Sequence, residues 1–171
     1  MRIRILGVVA LALVWLGCQP PAEAPPAAPE SVFFLVRHAE KADQSEDPPL
    51  TEEGRARART LAAMLRDVGV EMIHSSDFER TRDTGAPLAN ELGLGVTLYD
   101  PNQLPELATA LLSSPGRHLV VGHSNTTPEL VELLGGDPGS PISEDEYDRL
   151  YVVHRRPDAD ATTLLLRFEP R

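Results

Sequence analysis

The chain has 171 residues, of which 42% are hydrophobic, and its formal net charge at pH 7 is −10, from 16 Lys and Arg against 26 Asp and Glu. That length suits one domain of ordinary size with a real hydrophobic core. The acidic balance argues against a nucleic-acid partner, because such proteins need a basic face to neutralise phosphates. The single cysteine, Cys18, excludes an intrachain disulfide and a thiolate metal cluster.

Residues 1–18 have the layout of an export signal. Arg2 and Arg4 precede an apolar stretch that is too short for an independent bilayer span, and Gly17 stands directly before Cys18. This arrangement resembles a bacterial lipoprotein signal, which implies that Cys18 is lipidated and becomes the mature N-terminus. The alternatives are a plain secretory signal or an uncleaved anchor with an incidental cysteine.

Residues 19–30 (QPPAEAPPAAPE) contain five prolines and four alanines. Proline at this density keeps the backbone extended, and nothing in the segment can bury surface. The segment is therefore predicted to be a semi-rigid tether, with a disordered leader as the alternative. A folded domain is expected over 31–171, exported and facing the periplasm or the cell exterior, with the membrane as a partner through Cys18.

From residue 31 the apolar pattern alternates between short continuous runs and helical spacing. Strands are predicted at 31–36, 70–74, 96–99 and 118–121, and helices at 51–68, 77–92, 104–112 and 127–134. Thr51 is the expected N-cap of the first helix, Gly69 its end, and Pro87 a point where the second can bend. Two further strands, 150–154 and 163–168, predict a hairpin at the sheet edge. The fold class predicted is a three-layer α/β/α sandwich with a mainly parallel central sheet.

Two imidazoles and two guanidiniums follow strands of this predicted sheet. Arg37 and His38 end the first strand, Arg80 follows the second, and His123 ends the fourth. Ligands of such sheets bind beyond the carboxyl ends of the strands, where these residues would meet. Arginine forks and a neutral imidazole suit a tetrahedral oxyanion such as a phosphoryl group, and Gly122 would let the backbone come close to it.

The segments that carry these residues are VRHAEKAD, SSDFERTRDTGAPLA and VVGHSNTTP. In this order and spacing they resemble the histidine phosphatase superfamily, also called the phosphoglycerate mutase-like family. The resemblance extends over essentially all of 32–168. It implies that His38 is the nucleophile that becomes phosphohistidine, and that Arg37, Arg80 and His123 complete a phosphate pocket that binds the substrate. It implies no cofactor and no metal.

The family also uses a carboxylate to protonate the leaving oxygen. Glu106 is the candidate here, with Asp100 as a second choice, although an ordinary charge in the first turn of a helix explains Glu106 better. The short segment between the third and fourth strands leaves room for only a small cap. The chain therefore resembles the compact branch that includes bacterial phosphohistidine phosphatases. Gly85 departs from the family, which usually has alanine there.

The predicted function is an exported, metal-independent phosphohydrolase that acts on a small phosphorylated substrate or a phosphoprotein, in an oligomeric state that the sequence leaves open. The alternatives are a catalytically weak phosphate-ligand or partner-binding protein, a mutase, and a metallohydrolase built from His38, His74, His123 and Asp77. The acidic segments 43–47 and 144–148 are expected to be solvated loops. If either borders the crevice, highly anionic substrates should be turned over poorly.

Overall fold

The computed structural model describes residues 30–170. The signal predicted over 1–18 and the tether up to residue 29 lie outside the described residues. In the described part, the elements in chain order are β1 (Ser31–Arg37), α1 (Glu52–Leu65), β2 (Met72–Ser76), α2 (Glu79–Leu92), β3 (Val96–Tyr99), α3 (Leu104–Leu112), β4 (Gly116–Gly122), α4 (Thr126–Leu133), β5 (Arg149–Arg155) and β6 (Thr162–Arg167). No helix among these is both long enough and apolar enough to cross a bilayer.

The six strands form one sheet in the order β3-β2-β4-β1-β5-β6. Strands β1 to β4 are parallel, whereas β5 and β6 are antiparallel and form a hairpin at one edge. Helices α1 and α2 pack on one face of the sheet, and α3 and α4 pack on the other. The predicted three-layer α/β/α sandwich with a C-terminal edge hairpin is confirmed.

Strand β1 lies near the centre of the sheet because its sequence is apolar on both faces. Phe34 and Val36 belong to the core under α1 and α2, and Phe33 and Leu35 belong to the core under α3 and α4. Each fully buried side chain of this size contributes about 1.5–3 kcal/mol relative to an exposed one. The strand that carries Arg37 is therefore held rigidly between two packed layers.

Helix α1 begins as predicted, because the Thr51 hydroxyl accepts a hydrogen bond from the Gly54 amide at 2.9 Å. It ends at Leu65, earlier than the predicted boundary at Gly69. Residues 66–69 form a turn instead, in which Gly69 has a φ of 75°. The glycine thus reverses the chain toward β2 rather than capping the helix directly.

Strand β2 spans Met72–Ser76, two residues later than predicted. Its register with β4 sets Ile73 beside Leu119 and Ser75 beside Val121, so that Ser75 and Ser76 are buried strand residues. Pairing with neighbours on both sides satisfies the backbone of this polar end, which the apolar pattern alone could not reveal. The shift places the Ser76 side chain at the functional edge of the sheet.

Candidate active site

The carboxyl ends of β1, β2 and β4 meet at one edge of the sheet, as predicted. The amide of His38 donates to the Gly122 carbonyl at 2.9 Å, which extends the pairing of β1 with β4 by one residue. His38 is only 4% exposed. The backbone therefore fixes the position of this imidazole before any side-chain contact is considered.

The ring of His38 is oriented by a backbone carbonyl. Its Nδ1 lies 2.8 Å from the Ala39 carbonyl oxygen, and the Ala39 amide donates to the Thr84 hydroxyl at 3.0 Å. Because a carbonyl can only accept, Nδ1 carries the proton and Nε2 keeps its lone pair. Burial, with a smaller contribution from Arg37, lowers the pKa of His38 to about 3. At neutral pH the ring is an uncharged base.

Arg37 is held by the loop of residues 143–147. Its Nη1 donates to the carbonyl oxygens of Ser143 at 2.8 Å and Glu146 at 3.0 Å, and its Cζ lies 4.2 Å from the centre of the Tyr147 ring. The buried Nε has no hydrogen-bond partner within residues 30–170. Because a buried donor without a partner is costly, this atom is suited to bind an incoming oxyanion.

Arg80 stands in the first turn of α2 and stacks on Phe78, with 4.4 Å between its Cζ and the ring centre. Its Nη1 lies 3.7 Å from an oxygen of Asp47. Its buried Nε also lacks a hydrogen-bond partner in the described chain. Burial lowers the pKa of Arg80, and the positive charge of Arg37 lowers it further, while Asp47 acts in the opposite direction. The two guanidiniums thus form one positive region.

His123 follows β4 and faces His38 edge-on, with 5.5 Å between the ring centres. Its Nε2 shares a hydrogen bond of 2.9 Å with the Ser76 hydroxyl. Burial, followed by the charges of Arg80 and Arg37, lowers the pKa of His123 to about 4. Both imidazoles are therefore neutral at pH 7, beside two permanent positive charges.

Gly122 is required by close packing behind His123. A Cβ at this position would lie 2.8 Å from the Thr126 hydroxyl, 3.0 Å from the Tyr99 hydroxyl and 3.1 Å from the Thr127 hydroxyl. The Thr126 oxygen accepts the amide of His123 at 2.9 Å. The small residue before His123 thus allows a hydroxyl to support the histidine backbone.

These groups line a cavity of about 330 Å³ at the sheet edge, which contains all four predicted residues, Arg37, His38, Arg80 and His123. A larger cavity of about 640 Å³ lies between α1 and the C-terminal segment and contains none of them. We take the smaller cavity as the candidate active site because it combines the imidazoles with the unpaired guanidinium nitrogens, whereas the larger one does not.

The remaining predicted residues lie elsewhere. Glu106 is exposed in the first turn of α3, and neither it nor Asp100 lines the cavity; the carboxylate in the lining is Glu144. His74 is hydrogen-bonded to His118, with 3.1 Å between the nitrogens, also away from the cavity. Among residues 30–170, no three His, Cys, Asp or Glu side chains are placed to share a metal ion. The proposed metallohydrolase set is therefore not assembled.

Four supporting residues at the site were not predicted from the sequence. Ser76 and Thr84 lie inside the motif SSDFERTRDTGAPLA, and their hydroxyls contact His123 and Ala39. Tyr147 and Glu144 belong to the acidic segment 144–148, for which the sequence predicts a solvated loop. Nothing in the local sequence indicates that this segment returns to Arg37.

Three comparisons bear on the family. The model of the histidine phosphatase superfamily (branch 1) matches residues 33–110. The probable phosphoglycerate mutase GpmB of Cronobacter sakazakii (strain ATCC BAA-894) is 32% identical over 120 residues, which cover 66% of this chain and 54% of that protein. GpmB of Enterobacter sp. (strain 638) is 36% identical over 93 residues, which cover 50% of this chain and 41% of that protein. The chain thus spans about half the length of these curated relatives.

Solved structures share the fold. The protein histidine phosphatase SixA complexed with tungstate aligns with a TM-score of 0.64 at 19% identity, over 80% of this chain and 96% of that one. A mycobacterial glucosyl-3-phosphoglycerate phosphatase aligns with a TM-score of 0.64 at 15% identity, over 83% of this chain and 100% of that one. The sequence matches and the three-layer fold together show that the chain resembles the histidine phosphatase superfamily.

Proposed function

We propose that this protein is a metal-independent phosphohydrolase that works through a phosphohistidine on His38. The observation that carries the proposal is the bond between His38 Nδ1 and the Ala39 carbonyl, which leaves Nε2 unprotonated in a cavity lined by two arginines. The lowered pKa of His38, about 3, supports attack by the neutral ring near pH 7.

In the first step, the Nε2 lone pair forms a bond to phosphorus while the bond from phosphorus to the leaving oxygen breaks. Negative charge on the three equatorial oxygens is stabilised by Arg37, Arg80 and His123. In the second step, water attacks phosphorus, the N–P bond breaks, and inorganic phosphate leaves. Two fixed guanidiniums supply the charge stabilisation that other phosphatases obtain from metal ions.

The test compares wild type with His38→Ala on an aryl phosphate, with and without a chelator. We expect the substitution to reduce turnover by at least about a thousandfold, since it removes the nucleophile. The chelator should leave wild-type activity unchanged. His154→Ala, which removes a histidine of β5 outside the cavity, is the matched control. Residual hydrolysis by His38→Ala at the wild-type rate would refute the proposal.

Phosphoric monoesters and phosphoramidates are both substrate classes for this site. The SixA structure, described as that of a protein histidine phosphatase, favours a phosphoramidate, including one on a protein. The mycobacterial neighbour is described as acting on a sugar phosphoglycerate, which is a monoester. The GpmB relatives suggest a mutase, but the exported setting that we infer, where phosphorylated glycolytic intermediates are scarce, argues against it. Release of inorganic phosphate into the medium separates a hydrolase from a mutase.

A second candidate function is a phosphate-ligand binding protein with weak turnover. The exposed position of Glu106, outside the cavity, favours it, because a poor leaving group needs a proton donor. A single-turnover experiment with excess protein and an alkyl phosphate distinguishes the two. Tight binding with no phosphate release would support the binding protein, and stoichiometric release would support the enzyme. Slower release from Glu106→Gln on the alkyl ester alone would support Glu106 as the acid.

We further propose that the domain is exported and anchored through lipidated Cys18. The arginines, apolar stretch and small residue before this cysteine support the proposal. Mass spectrometry of the mature N-terminus from a bacterial host should detect a diacylated cysteine. Cys18→Ala should abolish the modification and shift the protein from the detergent phase to the aqueous phase. An unmodified wild-type cysteine would contradict the anchor.

A further inference from the structure

The candidate active site has one carboxylate in its lining, that of Glu144. Its Oε2 lies 3.4 Å from Arg37 Nη2, and its Oε1 lies 3.4 Å from the Ser124 hydroxyl. The side chain of Arg37 is 3% exposed, whereas that of Glu144 is 83% exposed. Glu144 therefore stands between the buried phosphate-binding guanidinium and the solvent.

The loop that carries Glu144 is fixed from both sides. Arg149, which is 4% exposed, donates to the Ser140 carbonyl and to the Glu146 carboxylate, each at 2.6 Å. Arg37 binds the backbone carbonyls on either side of Glu144, those of Ser143 and Glu146. With its backbone held at these points, the loop keeps the Glu144 carboxylate at the mouth of the cavity.

Two other charged side chains near the mouth, Asp47 and Lys41, act together with this carboxylate. Asp47 occupies the corresponding position beside Arg80, with 3.7 Å between the charged atoms. The one additional cation in the lining, Lys41, keeps its positive charge, but its ammonium group is hydrogen-bonded to the Gln44 side-chain oxygen at 2.9 Å, whereas Glu144 contacts Arg37 directly. Each pocket arginine thus has a carboxylate near it, and a bound phosphoryl group would take up the arginine charge.

We infer that the site selects phosphorylated compounds whose leaving group carries a positive charge, such as an aminoalkyl ester, through Glu144. A phosphoryl group on His38 and the arginines must extend its leaving group toward the solvent, past this carboxylate. A cation there gains an attractive contact, whereas a carboxylate or second phosphate is repelled. The inference rests on the proposed function, because it assumes that the cavity binds the phosphoryl group.

Binding is measured with three phosphonates, which cannot be hydrolysed: 2-aminoethylphosphonate, ethylphosphonate and 2-carboxyethylphosphonate. We expect the wild type to bind the ammonium compound about fivefold more tightly than the neutral one, near the upper range for one exposed ion pair. The carboxylate compound should bind less tightly by a similar factor. In Glu144→Gln, the affinities for the two charged phosphonates should be close to the affinity for ethylphosphonate. In the wild type, high salt should reduce the differences between the three affinities.

The control is Glu132→Gln, which removes the same charge at an exposed position of α4. This variant should keep the wild-type differences in affinity between the three phosphonates. Equal loss of affinity for all three phosphonates in Glu144→Gln would overturn charge selection, as would wild-type ratios that the substitution leaves unchanged. Hydrolysis of the corresponding phosphate esters is measured in parallel. Selective phosphonate binding without ester hydrolysis would support charge selection by Glu144 and contradict the proposed hydrolase. Ester hydrolysis with no charge preference would support the hydrolase and contradict charge selection.

Discussion

The protonation state of His38 decides whether this residue can attack phosphorus. Burial lowers its pKa from 6.5 to about 3, so the ring stays neutral at moderately acidic pH. We therefore predict that kcat/KM, calculated for one ionic form of an aryl phosphate, does not fall with decreasing pH between about 7.5 and 5.5. An unshifted histidine would instead give a tenfold loss per pH unit below about 6.5. A pH–rate profile with an acidic limb near 6.5 would contradict the buried environment of His38.

The residues of the candidate site differ in how well the sequence could predict them. Arg37, His38 and His123 stand at the ends of apolar runs, so strand periodicity alone places them at the sheet edge. Tyr147 contacts Arg37 across more than a hundred residues of chain, through a loop whose path depends on the anchoring by Arg149. A contact made by such a loop leaves no local pattern, so the sequence alone does not place Glu144 beside Arg37.

Among the elements, β2 shows where periodicity fails. Its apolar residues begin before the strand does, and its polar end is held by pairing with β3 and β4. The position of Ser76 beside His123 follows from that register and not from the composition of the segment. The layers and the order of elements were predictable from alternating apolar patterns, whereas boundaries that depend on neighbouring strands were not.

A glycine-to-alanine substitution is expected to have opposite effects on stability in helix α2 and at the end of strand β4. In α2, a Cβ at Gly85 would lie 3.4 Å from a methyl of Ile73 and 3.6 Å from one of Val121, which are ordinary contacts. Because alanine is the better helix former, we predict that Gly85→Ala raises the free energy of unfolding by about 0.5–1 kcal/mol. Urea denaturation at constant pH measures the change. A decrease would show that the contact with Ile73 is too tight.

At the end of β4, the same change should be harmful. A Cβ at Gly122 would lie 2.8 Å from the Thr126 hydroxyl and 3.1 Å from that of Thr127, which donates to the Val36 carbonyl. We predict that Gly122→Ala costs about 1–3 kcal/mol of stability through overpacking. Displacement of His123 should also lower aryl phosphate hydrolysis at least about tenfold. Full activity in this variant would mean that the hydroxyls can move without disturbing the histidine.

For the molecule as a whole, the net charge of −10 conceals a local reversal of sign. Arg37, Lys41 and Arg80 all line the one cavity in which the imidazoles meet. The acidic remainder of the surface will repel polyanions at long range, whereas a single phosphoryl group can bind at the arginines. For the proposed phosphohydrolase, this balance favours substrates with one phosphate over more highly phosphorylated compounds.

Buried histidines that stay neutral reduce the stability of the fold in acid. Burial lowers the pKa of His38 to about 3 and those of His74 and His123 to about 4, and it lowers the pKa of His118 as well. Because the unfolded chain binds protons near pH 6.5 and the folded chain does not, stability is complete above that pH and falls as the pH decreases toward 4.

His74 allows this mechanism to be tested outside the cavity. Its Nε2 donates to His118 Nδ1, since His118 Nε2 is used by the Ser114 carbonyl at 2.8 Å. A glutamine at position 74 can keep the donor and cannot titrate. Because the pKa of His74 is lowered, the free energy of unfolding of the wild type should fall by about 2 kcal/mol more than that of His74→Gln between about pH 7.5 and 5. Urea unfolding at each pH measures the change. His154→Gln, at a histidine whose side chain is 36% exposed, should retain the wild-type loss. If His74→Gln shows the same pH dependence as wild type, the buried pair does not limit stability in acid.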